Sequence, residues 1–70
     1  MNADEMAPED FRAEIARAGL HHYVAAARLP VHPTRFSRWL WGRERMPVSA
    51  KRRLAEVLEQ KRGRLQKARS

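Results

Sequence analysis

The chain has no cysteine, which excludes disulfide staples, thiolate zinc sites and cysteine nucleophiles. The redox compartment stays open, with a lean toward the cytoplasm. Glycine is scarce as well, three residues in all, and no glycine-rich phosphate loop is present. No apolar run approaches the ~18 residues that cross a bilayer. No alternating stretch of β-branched residues marks a strand. The opening MNADEMAPED lacks an apolar core, so no secretory signal is expected there. With 70 residues the chain makes one small domain, which buries only about 60% of the surface its unfolded form exposes. A deep active site or a large cofactor pocket does not fit in it. Acid is in short supply too: 8 Asp and Glu face 15 Lys and Arg, a formal net charge of +7. A small domain with that balance has polyanions as default partners, nucleic acid first and anionic membrane second.

The charge that is present is unevenly placed. Residues 1–14 hold five acids against Arg12 alone, net −4, and residues 15–70 carry net +11. A polyanion-binding surface is therefore expected after the first helix. Residues 1–7 read as a disordered acidic lead-in. Residues 63–70 read as a basic tail, either solvated and frayed or in contact with phosphate.

Four helices are expected, over about residues 8–18, 21–29, 33–41 and 47–61. Pro8 suits a first helical turn, and Glu9 and Asp10 suit the positive end of the dipole. Phe11, Ile15 and Ala18 form one apolar stripe, and Gly19 is placed to stop the helix in a left-handed cap. The second helix centres on Ala25, Ala26 and Ala27, strong helix formers small enough to let another backbone come close. Pro30 ends it. Pro33 opens the third helix and Gly42 ends it. At about 100° per residue, Trp39 and Leu40 fall on the same face as Phe36, while Thr34, Arg38 and Trp41 fall on the opposite face and Arg35 on the flank. Ala50, Leu54, Val57 and Leu58 make the stripe of the fourth helix, with Gly63 as its expected stop. The fold class is all-α.

An alanine-centred helix, a short turn and a helix with an apolar back and a polar, basic front are the physical parts of a helix-turn-helix. The first helix must be small where the second crosses it. The second must stand proud so that its side chains reach base edges. Thr34 can donate, accept or touch a thymine methyl, and the Arg38 fork suits guanine O6 and N7.

From Leu20 to Leu58 the chain resembles the phage-repressor, Cro and Xre-type helix-turn-helix family, a lambda-repressor-like fold. The resemblance rests on Ala26, Leu29, Val31, the run Phe36-Ser37-Arg38-Trp39 followed by Gly42, and the later Leu54-Ala55-Glu56-Val57-Leu58. It departs from the family at Pro30, where glycine is usual, at His22, where glutamine is common, and at Leu40, where glutamate is common. The resemblance implies that Pro33, Thr34, Arg35 and Arg38 read base edges. It implies that His22, His32, Trp41 and Arg43 contact the sugar-phosphate walls. Arg45 and Lys51 are added to the phosphate set from charge and proximity alone. The implied domain spans residues 8–62. The implied activity is that of a sequence-specific double-stranded DNA-binding transcriptional regulator, phage or bacterial, working in the cytoplasm or nucleoid. One recognition helix reads few base pairs, so tight binding implies a homodimer on half-sites about one helical turn apart.

Other uses of the same residues compete with this reading. Trp39 beside Phe36 is a core residue rather than a stacking platform. Trp41 can pack on deoxyribose, fill a dimer interface or lie flat on its own domain. His21 and His22 are adjacent and point apart, with no carboxylate at ligand spacing, so no metal and no other cofactor is expected. Ser37, Ser49 and Ser70 have no evident base and orienting acid, so no enzyme and no small-molecule substrate is expected. Pro30, Pro33 and Pro47 break any long amphipathic membrane helix. The alternative function is an adaptor that grips another protein, such as RNA polymerase, through Trp41 and Leu40 as exposed apolar surface.

Overall fold

A computed structural model describes the backbone of residues 2–69 and the side chains as far as Lys61. It contains a 3-10 turn at Ala3–Glu5 and four α-helices: α1 (Pro8–Ala18), α2 (His22–Arg28), α3 (Pro33–Leu40) and α4 (Val48–Arg69). There is no strand among the described residues. The radius of gyration is 11.8 Å, close to the roughly 11 Å of a compact domain this size.

Each helix end has a local cause. Pro8 occupies the first turn of α1, and the Asp10 carboxylate reaches back to accept the Ala7 N–H at 2.9 Å. At the other end Gly19 adopts φ 65°, its N–H bonds the Ala16 carbonyl, and the Leu20 N–H bonds the Ile15 carbonyl. Those two bonds satisfy carbonyls that α1 leaves open, and they bring Leu20 down beside Ile15 in the core. The same device ends α3. Gly42 takes φ 74°, its N–H goes to the Trp39 carbonyl, and the Arg43 N–H goes to the Arg38 carbonyl.

The turn between α2 and α3 is built without glycine. Among the described residues none other than glycine has positive φ. Leu29 stays right-handed helical, Pro30 follows, and the Val31 N–H folds back onto the Ala26 carbonyl at 2.7 Å. His32 then caps α3, its Nδ1 accepting the Thr34 N–H at 3.2 Å, and Pro33 fills the first helical position. Four residues thus separate the two helices.

The core is one cluster. Phe11 and Ile15 of α1, Ala25 and Ala26 of α2, Phe36 and Leu40 of α3, and Leu54 and Val57 of α4 are all essentially sealed from solvent. The two alanines leave room for α3 to lie close against α2, and α3 also packs on α1. No buried side-chain nitrogen or oxygen among the described residues lacks a partner.

Two expectations are revised. The acidic lead-in is docked: Asn2 caps the 3-10 turn by accepting the Asp4 N–H, and the turn packs against α4. Asp4 takes a two-pronged bond from Arg52, Nε to Oδ1 at 3.1 Å and Nη2 to Oδ2 at 2.9 Å. The α4 helix also does not stop at Gly63 but continues to Arg69. Glycine inside a helix costs about 1 kcal/mol against alanine, which weakens a helix without ending it. The side chains of the basic tail, and Met1, lie outside the described residues. No described helix is long and apolar enough to cross a membrane.

Candidate nucleic-acid interface

Helix α3 has a sealed back and an open front. Phe36 and Leu40 are completely buried and Trp39 nearly so, while Pro33, Thr34, Ser37 and Arg38 are exposed. That division follows from the helical period alone: three large apolar residues share one face and the polar residues fall opposite. The front is not flat. Pro33, Thr34, Ser37, Arg38, Trp41 and Arg43 line an open hollow of about 750 Å³, with two cations and no acid around it. Of the expected base-reading residues, Pro33, Thr34 and Arg38 are brought together there. Of the expected phosphate residues, Trp41 and Arg43 join them. The stop at Gly42 is what turns Arg43 back beside Arg38, through the bond from the Arg43 N–H to the Arg38 carbonyl.

Two of the cations without a hydrogen-bond partner lie on the same face. Arg12, Arg17, Arg35, Arg52 and Arg53 each have a hydrogen-bond partner inside the chain. The side chains of Arg38 and Arg43 have none among the described residues, and neither do those of Arg28, Arg45 and Lys61, which do not line the hollow. Their charge is thus available to an outside anion without first breaking a bond.

The other expected residues are distributed elsewhere. Arg35 lies on the flank, where its Nε donates to Glu44 Oε2 at 2.9 Å. The same oxygen accepts Trp39 Nε1–H at 2.7 Å, which satisfies the one polar group of a nearly buried indole. The bond from Arg35 chiefly, and then that from Trp39, hold the Glu44 carboxyl below its usual range, and the field of Arg38 adds to them. Arg35 is therefore a partner of the loop rather than a wall of the hollow. His32 is exposed but its Nδ1 is committed to capping α3. A neutral His32 then carries its proton on Nε2. His22 is exposed and lies edge-on to Phe36, with ring centroids 6.3 Å apart. Lys51 and Arg45 line a separate hollow of about 280 Å³ with Met6, Phe11 and Met46, on the side where the 3-10 turn docks. Lys51 is half-buried, and its Nζ donates to the Asp4 carbonyl at 3.4 Å. Charge and nearness in sequence put Lys51 in the phosphate set; the acidic turn draws it away.

The comparisons with known proteins add no relative. No family model, no curated protein and no solved structure matches the chain.

Two contacts beside this face were not visible as such in the sequence. Glu44 carried a signal, being the only acid between Glu14 and Glu56 in an otherwise basic stretch. Arg12 carried another, as the only cation of the first fourteen residues. Its Nη1 donates to the Leu40 carbonyl, and its guanidinium lies over the Trp41 ring, 4.2 Å from the centroid. Trp41 is 61% exposed even so, which bears on the three uses open to it: one part of the ring rests on the domain and the rest faces out. Leu40, by contrast, is fully buried and adds nothing to the exposed apolar surface. Among the described residues no group of three or more His, Cys, Asp or Glu converges on a point that could hold a metal ion.

Proposed function

We propose that α2 and α3 form a helix-turn-helix of the phage-repressor and Cro kind, and that the chain is a sequence-specific double-stranded DNA binder that regulates transcription. The observation that carries this is the outward face of α3: Thr34, Ser37 and Arg38 exposed on a helix whose other side is sealed, with no hydrogen bond to the side chains of Arg38 and Arg43 among the described residues. An α-helix fits the major groove of B-DNA, and side chains on its front reach base edges there. Arg38 reads guanine through O6 and N7. Thr34 reads a base edge or a thymine methyl. Arg43 and Trp41 meet the sugar-phosphate wall beyond the helix, and His32 offers Nε2–H to a phosphate at its start. Each neutralised phosphate releases counterions, so affinity falls steeply with salt. A homodimer on two half-sites, in the cytoplasm or nucleoid, belongs to the same reading.

The test begins with selection of bound duplexes from a random library, in which a recovered palindrome supports a dimer. Arg38→Ala is then measured on the selected duplex and on random DNA. A good bidentate contact discriminates by about 1–3 kcal/mol, so a loss of roughly five- to 150-fold at the selected site is expected, with relaxed preference at one base pair. Equal small losses on both would reduce Arg38 to a phosphate contact. Failure to select any duplex would overturn the reading.

A second reading, an adaptor for another protein, is favoured by exposed aromatic surface: Tyr23 at 63% and Trp41 at 61%. Aromatic side chains of that kind are frequent anchors of protein interfaces. It predicts a partner whose binding depends on Trp41 and is indifferent to Arg38→Ala.

A further inference from the structure

We infer that Arg12, on the otherwise acidic first helix, is the positioning residue of this interface: it sets the Trp41 ring for contact with the sugar-phosphate wall without touching the duplex itself. The inference rests on the DNA-binding reading above and adds a part to it. Arg12 is half-buried between α1 and the end of α3. Its Nη1 donates to the carbonyl of Leu40, one of the groups α3 leaves open at its C-terminal end, where a cation is also favoured by the helix dipole. The Cζ of the same guanidinium lies over the Trp41 indole, 4.2 Å from the centroid, within the range in which a cation is attracted to the face of the ring. One side chain thus grips both the end of the recognition helix and the residue that follows it.

That grip matters because Trp41 lies just past the regular helix, at φ −98° and ψ 7°, where backbone bonding alone does not fix a large side chain. Unheld, an exposed tryptophan loses rotamer freedom on binding. Held, that loss is already complete in the free protein. The ring lies under Arg12 and also lines the hollow with Thr34, Arg38 and Arg43. Arg12 belongs to α1, and the reading face belongs to α3. The contact therefore also explains why a basic residue stands among five acids: its target is a carbonyl and a ring rather than an anion.

The test combines two readouts on the full chain. The first is acrylamide quenching of tryptophan emission without DNA. Trp39 is nearly buried, so quenching reports Trp41. Arg12→Ala is expected to raise it, and Arg12→Gln, which keeps a donor for the Leu40 carbonyl but lacks the guanidinium plane, to raise it too. Arg12→Gln serves as the variant of record if Arg12→Ala lowers the thermal midpoint too far. The second readout is affinity for the selected duplex. Arg12→Ala should weaken it about two- to tenfold, the equivalent of immobilising one side chain. The slope of log affinity against log salt should stay unchanged, because no phosphate contact is lost. In a Trp41→Ala background the further change Arg12→Ala should cost nothing more. A slope shallower by about 0.9 would make Arg12 a direct phosphate ligand and overturn the inference. So would independent, additive losses from Arg12→Ala and Trp41→Ala, or unchanged quenching in both Arg12 variants. If the wild-type chain selects no duplex, the DNA-binding reading itself falls, whatever the quenching shows.

Discussion

Replacing Gly42 by alanine isolates one physical cause at the end of α3. Gly42 has φ 74°, and a Cβ added there meets nothing within 4 Å. Any cost is therefore conformational rather than steric contact with neighbours. An L-residue in the left-handed region costs about 1–2 kcal/mol. Alanine returns about 0.4–1 kcal/mol by restricting the unfolded chain. The net expectation for Gly42→Ala is a destabilisation of ~1 kcal/mol. A domain of this size has roughly 4–10 kcal/mol in total, so the protein should remain folded. Its thermal midpoint should drop by about 4–8 °C. The decisive control is D-alanine at position 42, accessible by chemical synthesis for a chain this short. Gly42 is exposed, and a D-residue prefers positive φ, so the unfolded-state gain remains and the strain vanishes. D-alanine should raise the midpoint where L-alanine lowers it. Circular dichroism melts of the three proteins settle the sign. A harmless L-alanine, or a D-alanine as damaging as the L-form, would refute the argument that the left-handed conformation ends α3.

Other consequences are equally open to measurement. Glu44→Gln removes the charge that holds Arg35 while leaving an oxygen for the Trp39 N–H, so the thermal midpoint should change little. The freed Arg35 should then add one phosphate contact, steepening the salt dependence of duplex binding by about 0.9 in log-log slope; an unchanged slope would refute it. The hydrogen bond from Arg52 holds the Asp4 carboxyl below its ordinary range. Because the folded value is the lower one, the contribution of this pair is fully present above about pH 4 and lost as pH falls through the folded value. A carboxyl NMR titration should place Asp4 below an ordinary aspartate, and Asp4→Asn should remove that part of the acid sensitivity. Titration of Asp4 at the ordinary value would show that the N-terminal turn is not docked in solution.

What could be read from the sequence was whatever local chemistry decides. Helix limits followed from Pro8, Gly19, Pro33 and Gly42, and the structure places them within a residue or two of expectation at every end but the last. The faces of α3 followed from a single angle per residue, and the buried set Phe36, Trp39 and Leu40 agrees with it. Pro30 in place of a turn glycine was legible as a departure, but not how the turn closes without one. What stayed hidden were contacts made by long side chains across the fold. Arg12 reaches a carbonyl 28 residues away, and Arg52 reaches an acid 48 residues away. No period or cap signals such pairs. A count of positive charges likewise cannot tell Arg38, which makes no hydrogen bond among the described residues, from Arg35 or Lys51, which do.

The separation of α3 into a hidden side and a displayed side has a use for engineering. Ala25 and Ala26, at no exposure, leave no space for a larger residue, so substitutions there would shift the whole helix. Thr34, Ser37 and Arg38 carry none of that burden. A library randomised at those three positions alone should yield variants that melt like the parent yet prefer different targets.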